Sequence, residues 1–188
     1  MTALQKIPYL TEQDYLDFEL TATIRHEYKD GYIYAMAGSS ERHNRIAGNI
    51  FFQLRSSARG GQCGVFMSDM KLKIAQHNAY YYPDVLLVCD TEDNQEYYKE
   101  KPCLITEVLS NSTAKIDRRE KLLAYLSLPS LRYYLLIDAN KKRCEYYVRD
   151  NHNEWQTALL EDNEELLIRC ENYQTVLKLG DIYEDVRF

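Results

Sequence analysis

Two acids stand in runs that otherwise read as apolar strands. Asp84 sits in Tyr82-Pro83-Asp84-Val85-Leu86-Leu87-Val88, and Glu107 in Leu104-Ile105-Thr106-Glu107-Val108-Leu109-Ser110. A carboxylate buried in such a run costs free energy unless it is paired or holds a cation. Side chains alternate along a strand, so Cys103, Ile105, Glu107 and Leu109 share one face. If the two strands are neighbours, the carboxylates converge at one end of a sheet. Such a pair suits a hard, oxygen-seeking ion, Mg²⁺ with Mn²⁺ as a substitute. No His or Cys joins them at the spacing zinc needs. Taken singly, each acid has a plainer explanation: Asp84 as a turn cap after Pro83, Glu107 as the partner of an Arg or Lys.

A helix is expected from Lys115 to Ser127, directly after the second acid. On it Asp117, Lys121 and Tyr125 fall at i, i+4 and i+8, on one face. As an exposed Asp–Lys pair this is worth only about 0.3–0.5 kcal/mol. Reaching back over the carboxylates instead, Lys121 would orient a water or hydroxide and stabilise charge at a phosphoryl centre. Asp117 would support Lys121 from behind, and Tyr125 would add a hydrogen bond or pack. The chemistry these residues point to is phosphodiester hydrolysis with one or two divalent ions.

The elements that must position them are legible in outline. Thr11 caps a short helix with Asp14 three residues on. Gly31 to Ala37 reads as a strand, and Ser39 and Ser40 then offer an N-cap. Ile46, Ile50 and Leu54 follow at helical spacing up to Gly60-Gly61. Val65 to Ile74 and Tyr80 to Cys89 each read as a strand, separated by a turn at Gln76-His77-Asn78. Asp69 and Lys71, in the first of these, are expected to face solvent. Asp90 to Lys101 is loop-like, Cys103 to Leu109 a strand, and Ser110 to Thr113 a turn and cap cluster. Arg132 to Ile137 is a further strand, and two or three more fill the tail: Glu145 to Arg149, Trp155 to Leu160, Leu166 to Arg169. This order predicts one α/β (α+β) domain over residues 1–188, a mixed sheet flanked by helices with extra C-terminal strands.

Composition narrows the classes. At 188 residues, 45% hydrophobic and 28% charged, the chain is globular. No run approaches the roughly 20 apolar residues of a membrane helix, and the N-terminus lacks a secretory h-region. A cytoplasmic protein without membrane association is expected. Five scattered cysteines without a CxxC pair argue against a disulfide framework and a zinc ribbon and for buried thiols. A net charge of −6 speaks against a protein that simply coats nucleic acid, though not against an enzyme with a local basic groove. Tyrosine, at 17, serves packing in strands or stacking on bases.

The segments PDVLLV and ITEVLSNSTAKIDRREKLLAYLSLPSLRYYLLID resemble the Uma-two family of restriction-endonuclease-like proteins, in the PD-(D/E)XK nuclease superfamily. EYKDGYIYAMAGSSERH is similar to that family's N-terminal signature and LKLGDIY to its C-terminal end, so the likeness spans nearly the whole chain. The resemblance implies a mixed sheet flanked by helices and Mg²⁺-dependent cleavage of DNA. It makes Asp84 the aspartate of the PD motif and Glu107 the acid of the (D/E)XK motif, both as metal ligands. The lysine expected two residues on is replaced by Leu109, and Lys121 resembles a migrated substitute. Glu27 and His43 lie within the N-terminal signature, Glu27 as a third ligand or a structural acid, His43 as a cap or a supporting group. The competing expectation is a nuclease fold without activity, serving as a nucleic-acid-binding or protein-interaction module. The exposed aromatic strands Tyr80 to Tyr82 and Tyr146-Tyr147, together with the resemblance, point to a symmetric homodimer.

Overall fold

The computed structural model describes residues 9–109 and 117–188, apart from the side chains of 117 and 118. The first helix of the described residues is α1 (Glu12–Thr21), whose N-cap Thr11 and Asp14 exchange the two hydrogen bonds of a capping box. β1 (His26–Lys29) and β2 (Tyr32–Ala35) form a hairpin. Its turn uses Asp30 and Gly31, both at positive φ, the geometry a two-residue hairpin loop requires. α2 (Glu41–Ala58) starts at the cap Ser40 and buries Ile46, Ile50 and Leu54.

Next come β3 (Gly64–Met67), β4 (Lys71–Ile74), β5 (Ala79–Tyr81), β6 (Val85–Val88) and the two-residue β7 (Tyr98–Lys99). β8 (Leu104–Leu109) carries Glu107. A π-helical turn, Asp117–Lys121, leads into α3 (Leu122–Leu126). The remainder is β9 (Tyr133–Asp138), β10 (Cys144–Arg149), β11 (Trp155–Leu160), β12 (Glu165–Cys170), β13 (Tyr173–Lys178) and the short α4 (Leu179–Ile182).

The strands form a six-stranded sheet ordered β11-β10-β9-β8-β6-β3, a five-stranded sheet ordered β2-β1-β5-β4-β7, and the hairpin β12-β13. β8 runs parallel to β9 and antiparallel to β6. A parallel pair needs a crossover, and α3 lies in the segment that makes it. One face of the six-stranded sheet, with Val85, Leu87, Leu104, Leu135 and Ile137, packs on α2 and the β12-β13 hairpin. The opposite face, with Leu86, Ile105, Leu109 and Leu136, packs on α3 and on Leu72, Ile74 and Tyr81 of the five-stranded sheet. Tyr15 of α1 stacks on Tyr28 beside Tyr80, anchoring α1 to the outer face of that second sheet. Most of the tyrosines are buried in these layers.

Several expectations are corrected. Val65 to Ile74 and Tyr80 to Cys89 are not single strands. Each divides between the two sheets, at Ser68-Asp69-Met70 and at Tyr82-Pro83-Asp84. Pro83 lacks the N–H a ladder needs and restricts the residue before it, so the chain changes sheets there. Tyr80 to Tyr82 and Tyr146-Tyr147 are not free edges: β5 lies between β1 and β4, and β10 between β9 and β11. The aromatic edge is β2, where Tyr32 and Tyr34 are exposed. Lys71 is buried, with its ammonium near the Tyr82 ring, whereas Asp69 is exposed. The tail holds four strands, not two or three. The expected turn at Ser110 to Thr113 lies outside the described residues.

The cysteines differ most from expectation. Cys63–Cys89 and Cys103–Cys170 are disulfides, and Cys144 is a buried thiol. The paired residues are 26 and 67 positions apart in sequence, so no local spacing announces them. Strand pairing brings the first pair together: Gly64 faces Val88 across β3 and β6, which sets Cys63 beside Cys89.

Candidate active site

The antiparallel register of β6 and β8 pairs Val85 with Thr106 and Leu86 with Ile105. The register ends at Val85, and Asp84 stands one residue before it, at the Glu107–Val108 step of β8. Glu107 shares its face with Ile105 and Leu109, the face covered by α3 and the five-stranded sheet. Asp84 is fixed by its Oδ2, which accepts the Val108 N–H at 2.7 Å and lies 3.2 Å from His43 Nε2. His43 reaches it from the first turn of α2, where its own N–H is held by the Ser40 cap. Glu107 Oε1 accepts the Tyr125 hydroxyl at 2.7 Å and lies 3.3 Å from Lys121 Nζ.

Lys121 is buried and faces a second acid. Its ammonium sits 2.8 Å from Glu27 Oε1, so it bridges a carboxylate on β1 of one sheet and a carboxylate on β8 of the other. It also lies over the Tyr81 ring, 5.5 Å from the centroid. Glu27 alternates with Tyr28, which packs toward α1, and therefore points inward. Glu27, Glu107 and Lys121 thus share a largely desolvated space. Burial and the neighbouring Glu107 push the Tyr125 phenol well above its ordinary value, so it remains an O–H donor to Glu107.

The structure thus gathers Asp84, Glu107, Lys121, Tyr125, Glu27 and His43. Asp117 opens the π-helical turn, but its side chain lies outside the described residues. Lys121 and Tyr125 keep the four-residue spacing that puts both on Glu107. The backbone N–H of Val108 and the ring of Tyr81 belong to the site without any signal in the sequence. A backbone donor leaves no trace in residue identity, and Tyr81 is one tyrosine among many.

Among the described residues, no three His, Cys, Asp or Glu side chains cluster closely enough to hold a metal ion by themselves. The Asp84–Glu107 pair therefore does not make an all-protein cage. It does suit Mg²⁺, which is commonly held by one or two carboxylates while waters and substrate phosphates complete its shell.

A family model described as "Putative restriction endonuclease", Uma2, matches residues 12–179. The chain belongs to the Uma2 family. The match takes in β1, the Asp84 junction, β8 and the helical segment with Lys121. Two uncharacterized proteins of Synechocystis sp. are similar: one is 37% identical over 161 residues, covering 84% of this chain and 91% of that protein. The other is 35% identical over 149 residues, covering 79% and 78%. A crystal structure described as "a putative nuclease belonging to DUF820" from Anabaena variabilis superposes with a TM-score of 0.75 at 14% identity, over 93% of this chain and 97% of that one. That likeness shows the restriction endonuclease-like fold, and the Uma2 match connects it to nucleases in general.

Proposed function

We propose that this protein is a divalent-metal-dependent endonuclease that hydrolyses phosphodiester bonds of DNA at Asp84, Glu107 and Lys121. The observation that carries the reading is Asp84 held on the Val108 N–H, next to Glu107 on β8, with the buried Lys121 ammonium at Glu107. Bound by that pair, Mg²⁺ (or Mn²⁺) would act as a Lewis acid toward a phosphoryl oxygen and lower the pKa of a bound water. The residues prepare for this. Val108 N–H and His43 hold one oxygen of Asp84 and orient its carboxylate. Tyr125 does the same for Glu107. Lys121 supplies positive charge beside the scissile phosphate, where charge develops in the transition state. Glu27 holds Lys121 in place. The Uma2 family description supports the nuclease class.

The reading includes a symmetric homodimer. Cutting both strands of a duplex calls for two sites, and the exposed aromatic edge of β2 supports pairing there.

One observation favours a second reading, an inactive fold that binds nucleic acid or a protein. Leu109 stands where a lysine is expected, and Lys121 is already paired with two acids. Incubation of the pure protein with single- and double-stranded DNA and RNA, with Mg²⁺ or Mn²⁺ against EDTA, separates the two. Divalent-dependent cleavage of DNA is expected, lost in Asp84→Asn and in Glu107→Gln and slowed strongly in Lys121→Ala. Cleavage that survives Asp84→Asn would remove the site from the reaction. Absence of cleavage under every condition would favour the inactive fold.

A further inference from the structure

At the other end of β8 and β9 lies a cavity of about 750 Å³ whose chemistry is opposite to that of the carboxylate site. Cys103, in its wall, and Glu107 are four residues apart along extended chain, roughly 13 Å at 3.3 Å per residue. One phosphodiester cannot touch both. Four cations line the cavity: Lys101, Arg132, Arg149 and Arg169. They come from different elements: the loop before β8, the residue before β9, the end of β10, and β12. Backbone pairing of Arg149 N–H with Arg132 O at 2.9 Å sets two of them side by side.

Most of the acids in the wall are already engaged. Asp90 holds Lys101 at 2.8 Å. Asp150 accepts the N–H groups of His152 and Glu154 and the side chain of Gln156. Asp150 and Glu171 are the acids left without a cation, against three guanidinium groups, so the wall carries one positive charge in excess. The Arg149 guanidinium donates to the carbonyls of Leu126 and Pro129, which hold it rigidly without neutralising it. Arg132 and Arg169 make no ion pair with any described residue. A net-positive cleft in a chain of net charge −6 calls for an anion.

We propose that this cleft binds a small phosphate-bearing molecule of mononucleotide size. Planar guanidinium forks match phosphate oxygens two at a time, and the volume falls within the range of about 300–1,000 Å³ typical of small-ligand pockets. The site is separate from the carboxylate pair and does not depend on nuclease activity.

Isothermal titration at constant ionic strength tests it, with inorganic phosphate, a deoxynucleoside monophosphate and a short single-stranded oligonucleotide as the titrants. Phosphate and the mononucleotide are expected to bind the wild type. The double variant Arg132→Ala/Arg169→Ala should weaken both by about tenfold or more, since two charge-assisted hydrogen-bonding groups are lost. Both substitutions are at exposed positions, so the fold should persist; a circular dichroism melt checks this, and Arg132→Gln/Arg169→Gln serves as the second variant. Asp84→Asn should bind these ligands as the wild type does. Undetectable binding of phosphate and mononucleotide overturns the proposal, as does binding that survives both double variants. Binding of the oligonucleotide alone would also overturn it, by making the cleft a track for a nucleic-acid strand.

Discussion

Lys121 is the charge on which the candidate site is balanced. It is buried between Glu27 and Glu107, and breaking a buried ion pair from one side costs roughly 3–5 kcal/mol because a charge is left uncompensated. Lys121→Met should therefore lower the melting temperature markedly in metal-free buffer. Glu27→Gln keeps the Lys121–Glu107 ion pair and a hydrogen-bonding group at position 27, so it should cost less than Lys121→Met. Thermal melts of the two variants with EDTA check this: equal losses would mean that the acids share Lys121 less closely than their distances say. Glu107 was legible as a residue because an acid inside an apolar strand run must be explained. Asp84 was legible for the same reason, although it lies at a junction and not within a strand. Tyr81 and the Val108 N–H were not legible, since their roles arise only once two sheets are laid together.

At the level of elements, α1 is tied to the five-stranded sheet by Glu12. Its Oε1 accepts from Lys73 Nζ at 2.5 Å and from the Tyr80 hydroxyl at 2.6 Å. The bond from Lys73, then that from Tyr80, lowers the Glu12 pKa below its ordinary 4.5. The unfolded chain thus takes up this proton at higher pH than the folded one. The stabilisation is fully present above pH 4.5 and is lost as pH falls through the lowered folded value. In urea melts, the stability gap between wild type and Glu12→Gln should be constant near neutrality and shrink on acidification below that point. A gap that widens with acid would contradict the sign. The helices and most strands could be read from caps and periodicity, but the splitting of two long runs between sheets could not. Apolar residues resume directly after Ser68-Asp69 and after Pro83-Asp84, and a hydrophobic pattern says nothing about which sheet a strand joins. Pro83 was the one local mark of a break.

For the whole molecule, two cross-links and one edge make claims that can be measured. Thiol titration of unreduced, denatured protein should find one free cysteine, Cys144, and five after reduction. Reduction should also lower the melting temperature, because a disulfide closing 67 residues restricts the unfolded chain by an amount worth about 4 kcal/mol. Five free thiols in the unreduced protein would refute the pairing. Light scattering tests assembly: a dimer at micromolar concentration is expected, and Tyr34→Lys on the β2 edge should give monomers. A wild type that is monomeric throughout would sink the dimer.

The single tryptophan gives the molecule an internal optical gauge. Trp155 donates its indole N–H to Leu126 O, the last residue of α3, at 3.2 Å, and the Arg149 guanidinium lies 4.5 Å from its ring. The helix that carries Tyr125 and the arginine that lines the basic cleft therefore both touch one fluorophore. Indole emission shifts with the polarity and charge around the ring. A ligand that tugs on Arg149 and an ion that resets Tyr125 should each change the emission of Trp155, without any label. Titrations monitored in this way would distinguish the two ends of the sheet by which substitution, at Arg132 or at Asp84, silences the signal.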